Sequence, residues 1–328
     1  MADRPRVLVT SWLVQENDPA LQILRQGGCE VVMGRSPRPR TVEDMTQAVK
    51  GIDGVVAGSD NYSAPVIEAA DRLKAIVRVG VGYDTVDLAA ATAKGIQVGT
   101  TPGTNHHAVA DYAFGLLLAS ARRIVQHHAT TAAGQWVRLA GPDVYGKTIG
   151  IVGLGAIGKG VARRARGFDM TVLAYDVYRD EPFAQANSVQ YVELDELFRR
   201  ADYVTLHTPL LPETRGLVNA ERLRTMKPTA YLINTARGEL VDLDALRAAL
   251  SERRLAGAAL DVFPKEPPTG DPILQTENAI VSPHVAGGSI EANLAAAKMA
   301  CESVVPAIQG RRVAHCVNPD VYGTVSGP

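Results

Sequence analysis

The sequence is poor in cysteine and in net charge, and each shortage excludes a class of protein. Three cysteines occur in 328 residues, namely Cys29, Cys301 and Cys316, and they lie far apart without the spacing of metal ligands. We therefore expect buried free thiols, with neither a disulfide framework nor a metal site. Lys and Arg total 34 against 35 Asp and Glu, a formal charge of -1. Because no basic stripe follows a phosphate backbone, we expect no nucleic-acid partner.

Long apolar runs are also missing. The first residues, "MADRPRVLVTSW", place charges and a proline where a signal peptide has its apolar core, and no later run reaches the length of a membrane span. We therefore expect a cytoplasmic protein with no membrane partner. With 46% hydrophobic residues, the chain is long enough for two domains, each with its own core.

What the sequence does contain is a regular alternation of short β-rich runs and amphipathic segments, which predicts βαβ units and parallel sheets. One series of strands runs from "RVLVTS" to "IQVGTT", and a second runs from "TIGIVGLG" to "AIVSPH". Between them, "NHHAVADYAFGLLLASARRIVQHH" predicts one long helix that joins the two sheets. A last helix, "IEANLAAAKMACESVVPAIQG", is expected to return to the first domain because the second sheet is complete before it.

A glycine-rich turn opens the second series. "GLGAIG" places Gly153, Gly155 and Gly158 between the strand "TIGIV" and a helical segment, which matches a dinucleotide-binding fingerprint. Gly153 would allow the tight turn, Gly155 the approach of a pyrophosphate, and Gly158 close packing of helix on strand. Together with Ala156 and Ile157, these residues are our predicted phosphate-binding site at the positive end of the helix.

The next strands add candidate cofactor ligands. "TVLAYD" ends in Asp176, where an acid would accept hydrogen bonds from the adenosine ribose and repel a 2′-phosphate, which favours NAD over NADP. Arg179 lies close enough to weaken that preference. "LHTPL" places His207, Thr208 and Pro209 where backbone groups line a cofactor cleft, and we expect the His207 side chain to be structural.

Three later segments each follow a strand of the second series. "INTARGELV" carries Thr235 and Arg237, "ALDVFPKEP" carries Asp261 and Glu266, and "SPHVAGG" carries His284. Hydride transfer to an oxygen-bearing carbon needs an acid or base for that oxygen, which a histidine held by a carboxylate can supply. An arginine fork can clamp a carboxylate. Taken singly, the same residues would be read as a strand-end histidine, a surface ion pair and a loop charge.

These stretches, with "VRVGVGYDTVDL" and "GKTIGIVGLGAIG", resemble the D-isomer-specific 2-hydroxyacid dehydrogenases from about residue 50 to about residue 310. The resemblance implies an NAD-dependent enzyme in which Arg237, Glu266 and His284 form the active site. It also implies that Asp261 faces the nicotinamide and that Thr235 lines the cofactor site. The substrate carboxylate would meet a loop made of Arg78, Val79, Gly80, Val81 and Gly82.

The resemblance further implies an α/β fold of two Rossmann-like domains with parallel sheets. The substrate domain would be discontinuous, comprising residues 1–104 and 290–328, with the NAD-binding domain, residues 105–289, inserted in it. Such enzymes close a cleft between the domains about hinges near residues 104 and 289. They are commonly homodimers joined through the segment after the first domain.

The substrate stays open between two subgroups, phosphoglycerate dehydrogenases and hydroxypyruvate or glyoxylate reductases. Arg78 is placed to meet a phosphate, but Gly58 stands where phosphoglycerate enzymes often have a second arginine. The chain ends at Pro328, so no regulatory extension is expected. His106 and His107 are expected to cap the connecting helix, although substrate contact is the alternative.

Two other function classes are weighed against these. A non-catalytic NAD sensor or corepressor would have little use for Arg237, Glu266 and His284 together. A formate dehydrogenase pairs its histidine with an amide, which Glu266 contradicts.

Overall fold

The structure is a computed structural model that describes residues 4–34, 36 and 40–323. The chain divides into two compact units, one made of Met1–Asn105 and Gly288–Pro328 and the other of His106–Gly287. The strands are β1 (Arg6–Val9), β2 (Glu30–Met33), β3 (Gly54–Ala57), β4 (Ala75–Arg78), β5 (Gln97–Gly99), β6 (Thr148–Val152), β7 (Thr171–Tyr175), β8 (Val189–Tyr191), β9 (Tyr203–Leu206), β10 (Tyr231–Asn234), β11 (Gly257–Leu260) and β12 (Ala279–Val281). The helices are α1 (Leu21–Gln26), α2 (Val42–Ala48), α3 (Ala64–Ala69), α4 (Leu88–Ala93), α5 (His106–Ala121), α6 (Ile124–Ala132), α7 (Ala156–Arg166), α8 (Glu181–Asn187), α9 (Leu194–Arg200), α10 (Ala220–Thr225), α11 (Leu243–Ser251) and α12 (Ile290–Ile308).

The first unit contains a five-stranded parallel sheet in the order β2-β1-β3-β4-β5. Strands β3 and β4 are buried along their whole length, as expected of parallel strands that are covered by helices on both faces. Helix α12 belongs to this unit, where Ala297, Cys301 and Val304 pack in one core with Val7 and Val9.

The second unit contains a seven-stranded parallel sheet in the order β12-β11-β10-β9-β6-β7-β8. The strand order reverses between β6 and β9. Strand β6 pairs in parallel with β9 on one side and with β7 on the other. In such doubly wound sheets a ligand binds outside the carboxyl ends of the strands at this reversal. The predicted fold class, two α/β domains with parallel sheets, is confirmed.

The segment predicted as one connecting helix is two helices. Arg123 adopts a left-handed conformation with φ 53° and interrupts the helical backbone between the end of α5 and the start of α6. Helix α5 is no mere connector, because its apolar residues pack in the core of the second unit with β6, whereas α6 buries none of its residues. His106 and His107 lie inside the first turn of α5 with their rings 4.2 Å apart.

The three cysteines are free thiols, of which Cys29 and Cys301 are buried, whereas Cys316, predicted to be buried, is partly exposed. Burial raises the pKa of the Cys301 thiol to about 12, so this thiol is unreactive at neutral pH. None of the described helices is long and apolar enough to cross a membrane.

Candidate active site

The glycine-rich turn joins β6 to α7 and requires glycine for two different reasons. Gly153 has a φ of 92°, and a Cβ there would lie 2.7 Å from the carbonyl group of His207. A Cβ on Gly158 would overlap the carbonyl oxygen of Gly153. The turn therefore packs directly on the end of β9 and on its own helix, at the edge where the strand order reverses.

Gly155 is different, because a Cβ built on it would meet no atom within 4 Å. It is the N-cap of the 11-residue helix α7 and offers no side chain to the first turn. The first N–H groups of a helix have no partner within the helix, so those of Ala156 and Ile157 can bind a phosphate. This open backbone at a helix N-terminus fits a dinucleotide pyrophosphate.

Asp176 follows β7 and ties the turn to that strand. Its Oδ2 accepts a hydrogen bond from Leu154 N at 2.7 Å, and its Oδ1 accepts one from Tyr178 N at 2.9 Å. Arg179 contacts other partners, since its guanidinium carbon lies 5.4 Å from the ring centroid of Tyr191 and its Nη2 lies 3.6 Å from Glu193 Oε1. The strand end thus presents a carboxylate while the nearby arginine is engaged with β8 and the residues after it.

His207, Thr208 and Pro209 follow β9 beside the turn. His207 N donates to Val152 O at 2.7 Å, and its Nε2 lies 2.9 Å from Thr205 Oγ1. Its Nδ1 is buried, and burial lowers the pKa of His207 to about 3. The ring is therefore neutral at physiological pH, in keeping with a structural role.

Two buried polar side chains lie at the end of the neighbouring strand β10, Asn234 as its last residue and Thr235 directly after it. The hydroxyl of Thr235 is enclosed and has no hydrogen-bond partner within the described part of the chain. The amide of Asn234 donates to Arg237 O at 2.8 Å and accepts from Ala236 N at 3.0 Å. Asn234 therefore shapes the turn that carries Arg237.

Arg237 extends from this turn toward the residues after β11. Its Nη1 donates to Ala236 O at 2.7 Å. A Cβ on the next residue, Gly238, would overlap the backbone of Phe263 and Pro264. The loop with Arg237 and the loop with Glu266 therefore pack backbone against backbone, which only glycine permits here.

His284 and Glu266 form the central pair of the site. His284 Nδ1 lies 2.8 Å from Glu266 Oε2, and Glu266 Oε1 accepts a hydrogen bond from Phe263 N at 3.0 Å. The side chains keep 44% and 36% of their exposure, respectively. Because Glu266 engages Nδ1, Nε2 is the ring atom left to exchange a proton with a substrate.

The electrostatics of Glu266 connect all three predicted catalytic residues. Desolvation is the largest single influence and raises the pKa of Glu266, but it is outweighed. The hydrogen bond and charge of His284, the N–H of Phe263 and the charge of Arg237 hold this pKa below its ordinary value. Glu266 is thus a carboxylate at neutral pH, and Arg237 lies within electrostatic reach of it.

Asp261 holds the loop that carries His284. Its side chain is fully buried. Oδ1 accepts from Ser282 Oγ at 2.6 Å and Val285 N at 3.0 Å, Oδ2 accepts from Ala286 N at 2.8 Å, and the backbone carbonyl accepts from His284 N at 2.8 Å. These bonds support His284 in a left-handed conformation, φ 54°, that is uncommon for a residue with a side chain. Contact between Asp261 and a nicotinamide stays a prediction.

The predicted substrate loop lies in the other unit, after β4. Arg78 is buried, and its Nε donates to Gly82 O at 2.9 Å, which closes the loop on itself. Gly80 has a φ of 130° and donates its N–H to Thr101 Oγ1 at 2.7 Å. Val79 N donates to Ala57 O, and Val81 is exposed. The loop is thus a defined backbone turn at the carboxyl edge of its sheet.

Comparison with known proteins shows which family this chain resembles. Residues 114–286 match the NAD-binding domain of the D-isomer specific 2-hydroxyacid dehydrogenases. A glyoxylate reductase of Korarchaeum cryptofilum is 40% identical over 326 residues, 97% of each chain. The chain belongs to the D-isomer-specific 2-hydroxyacid dehydrogenase family.

Two further relatives show the breadth of the family. A D-3-phosphoglycerate dehydrogenase of Methanocaldococcus jannaschii is 39% identical over 95% of this chain, which spans 59% of that longer protein. The crystal structure of the TT0316 protein from Thermus thermophilus has a TM-score of 0.86 and 39% identity, with 95% of this chain and 99% of that chain covered.

As a member of the 2-hydroxyacid dehydrogenase family, the chain is an NAD(H)-dependent oxidoreductase that acts on CH–OH groups. Sequence reasoning missed three residues that build its site, namely Asn234, Gly238 and Ser282. Each lies within a stretch that was recognised as part of the site, but each acts by a contact with another loop. Spacing along the chain gives no signal for such contacts.

Proposed function

We propose that this dehydrogenase reduces a small 2-oxoacid with NADH, with His284 as the proton donor. The observation that carries this is the 2.8 Å contact between His284 Nδ1 and Glu266 Oε2 beside Arg237. NADH, when bound, would supply the hydride to the C2 carbonyl carbon. His284 Nε2 gives its proton to the carbonyl oxygen, so that one 2-oxoacid, one NADH and one proton become one 2-hydroxyacid and one NAD⁺.

The other residues hold this chemistry in place. Glu266 keeps a proton on Nδ1 and stabilises the imidazolium before transfer. Arg237 polarises the carbonyl and clamps the adjacent carboxylate with its planar fork. We assign the substrate carboxylate to the loop Arg78–Gly82, at the backbone N–H groups of Val81 and Gly82, because those of Val79 and Gly80 already donate to Ala57 O and Thr101 Oγ1.

For the cofactor we propose a preference for NAD over NADP. The pyrophosphate would bind Gly153, Gly155, Ala156, Ile157 and Gly158, with Thr208, Pro209 and Thr235 nearer the nicotinamide, while Asp261 holds the loop of His284. Asp176 would accept the ribose hydroxyls. The contacts of Arg179 with Tyr191 and Glu193 support the preference, because they engage a cation that lies close to Asp176 in the sequence and could otherwise neutralise a 2′-phosphate.

We also propose a homodimer that forms through α6 and the residues after it. Helix α6 buries no residue, and Ile124, Val125, Trp136 and Val137 are exposed on this part of the chain. Exposed apolar residues concentrated in one segment are typical of an interface.

We also propose a cytoplasmic location. The three free cysteines support it, because thiols stay reduced in that compartment.

Phosphoglycerate oxidation is the second candidate, favoured by the cation Arg78 beside the substrate loop and by the M. jannaschii relative. An NAD sensor without catalysis is disfavoured by the His284–Glu266 pair, which binding alone does not need.

The test is NADH consumption by the purified protein with glyoxylate, hydroxypyruvate, phosphohydroxypyruvate, pyruvate and larger 2-oxoacids. Turnover of a small 2-oxoacid is the expected result. The proposal fails if none of these acids is reduced while the quenching of protein fluorescence shows that NADH binds.

A further inference from the structure

The carboxyl edge of the first unit's sheet holds a group of polar residues that the proposed chemistry does not use. The strand order reverses between β1 and β3, and a doubly wound sheet of this order binds ligands at that reversal. Thr10 and Ser11 follow β1, Asp60 and Tyr62 follow β3, and Arg78 ends the neighbouring β4. The substrate loop begins at the same edge.

The centre of this group is an ion pair between Arg40 and Asp60. Arg40 Nη1 lies 2.6 Å from Asp60 Oδ1, and the side chains are only 11% and 10% exposed. Arg40 Nη2 and Asp60 Oδ2 are buried without a further hydrogen-bond partner among the described residues. A buried pair with incomplete hydrogen bonding adds little stability, so its presence at a ligand-binding edge calls for another explanation.

Asp60 also occupies the space beside Gly58. A Cβ on Gly58 would lie 3.0 Å from Ser11 Cα, 3.1 Å from Thr10 O and 3.3 Å from Asp60 Oδ2. A side chain at Gly58 would therefore require the backbone that follows β1 and the carboxylate of Asp60 to shift.

The hydrogen bonds around Gly58 fix this arrangement. Thr10 Oγ1 accepts from Gly58 N at 3.1 Å and lies 3.1 Å from Tyr62 Oη. Burial raises the pKa of Tyr62 and the charge of Asp60 raises it further, whereas the charges of Arg78 and Arg40 lower it. The charges of Asp60, Arg40 and Arg78 therefore all act on one buried hydroxyl.

We propose that Asp60, neutralising Arg40, makes this edge select 2-oxoacids with a small unphosphorylated C3 group, such as hydroxypyruvate, and reject phosphohydroxypyruvate. The inference rests on the proposed function and narrows its substrate class. The Asp60–Arg40 pair offers a phosphate no net positive charge, and Arg78 Nε is bound to Gly82 O. Withholding a countercharge in this way disfavours a phosphorylated substrate relative to one without the phosphate.

The test compares kcat/KM for phosphohydroxypyruvate with kcat/KM for hydroxypyruvate in wild-type protein, Asp60→Asn and Arg40→Gln. The wild type is expected to prefer hydroxypyruvate. Asp60→Asn frees the charge of Arg40 and should raise the ratio in favour of the phosphorylated acid by about tenfold or more. Arg40→Gln leaves Asp60 unneutralised and should lower the same ratio. Opposite shifts distinguish selectivity from a structural role, which would lower both rates together.

Two further variants serve as controls, one for the loss of a charge elsewhere and one for the case that a single variant does not fold. Asp53 and Arg72 form an ion pair, 3.2 Å apart, at the amino edge of the same sheet, with Arg72 more exposed than Arg40. Arg72→Gln removes a charge far from the substrate loop and should leave the substrate ratio unchanged. The double variant Arg40→Gln with Asp60→Asn keeps the shapes without the charges if a single variant does not fold, and its ratio should lie between those expected for the two single variants.

Wild-type preference for phosphohydroxypyruvate would overturn the inference, as would a ratio that stays within twofold of wild type in folded Asp60→Asn. A wild-type protein that reduces no 2-oxoacid would instead refute the proposed function, and the selectivity would fall with it.

Discussion

Replacement of Asp261 by asparagine tests how the loop that carries His284 is held. The carboxylate accepts hydrogen bonds on both oxygens, from Ser282 Oγ and Val285 N on one and from Ala286 N on the other. Asparagine has one acceptor oxygen and one donor NH₂ group. Whichever way the amide turns, at least one backbone N–H of the loop must face another donor.

The magnitude follows from that count. One buried N–H without an acceptor costs about 1–3 kcal/mol, and about 2 kcal/mol lowers the Tm of a unit of this size by roughly 4–8 °C. The loop that carries His284 must move to separate the backbone N–H from the NH₂ group of the asparagine. A displacement of about 1 Å at a reacting group costs about 10²-fold in rate. We expect kcat to fall by about 10- to 100-fold, while the Kd for NADH changes little.

Calorimetry, stopped-flow reduction of the best 2-oxoacid and NADH fluorescence titration measure the three quantities. Ser282→Ala is the matched control, because it removes one of two donors to the same oxygen and should cost only about 0.5–1.5 kcal/mol. A variant with wild-type kcat and Tm but a Kd for NADH raised tenfold would refute the positioning argument. It would point instead to direct contact of Asp261 with the nicotinamide.

Three other substitutions test separate parts of the site. His284→Ala should lower kcat by at least about 10²-fold with little change in NADH affinity, and near-normal turnover would remove this residue from the mechanism. Asp176→Ala should weaken NADH binding and narrow the preference over NADPH, because it removes a carboxylate that ties the turn through Leu154 N; unchanged discrimination between the cofactors would show that it does not bind the ribose. In the folded protein His207 has a pKa of about 3 and is neutral, whereas in the unfolded chain it takes up a proton below about pH 6.5. Through this group, the free energy of unfolding of the wild type should fall by about 2 kcal/mol from pH 7.5 to pH 5. It should fall further toward pH 3. Urea unfolding of His207→Asn should lack that part of the pH dependence, and identical pH profiles for the two proteins would contradict the assignment.

The strands were predictable because buried parallel strands leave a strong local signal. The stretches that contain β3 and β4 read as apolar runs ended by glycine or arginine, and burial of both faces demands such runs. The break at Arg123 was not predictable, since no glycine or proline marks it. Its left-handed conformation arises where α5 leaves the core of the second unit, and that is a property of tertiary packing.

The candidate site divides along the same line. Arg237, Glu266 and His284 each follow a strand of one parallel sheet, so their meeting at one edge could be inferred from the order of elements alone. Their mutual placement depends on Asn234, Gly238 and the buried carboxylate oxygens of Asp261. These act across loops that are distant in sequence, and no periodicity encodes them.

The same distinction bears on how substrate range can change within this fold. The Glu266–His284 pair is braced by the backbone of two packed loops, and Gly238 tolerates no side chain against Phe263 and Pro264, so few substitutions there keep the geometry. At the edge of the other sheet, one carboxylate at Asp60 balances one cation at Arg40, and a single change of charge alters what a ligand meets. On the proposed roles, reaction chemistry and substrate choice would rest on separate structural units with different tolerance to mutation. Measured kcat values should follow changes around Asp261, and substrate ratios should follow changes around Asp60.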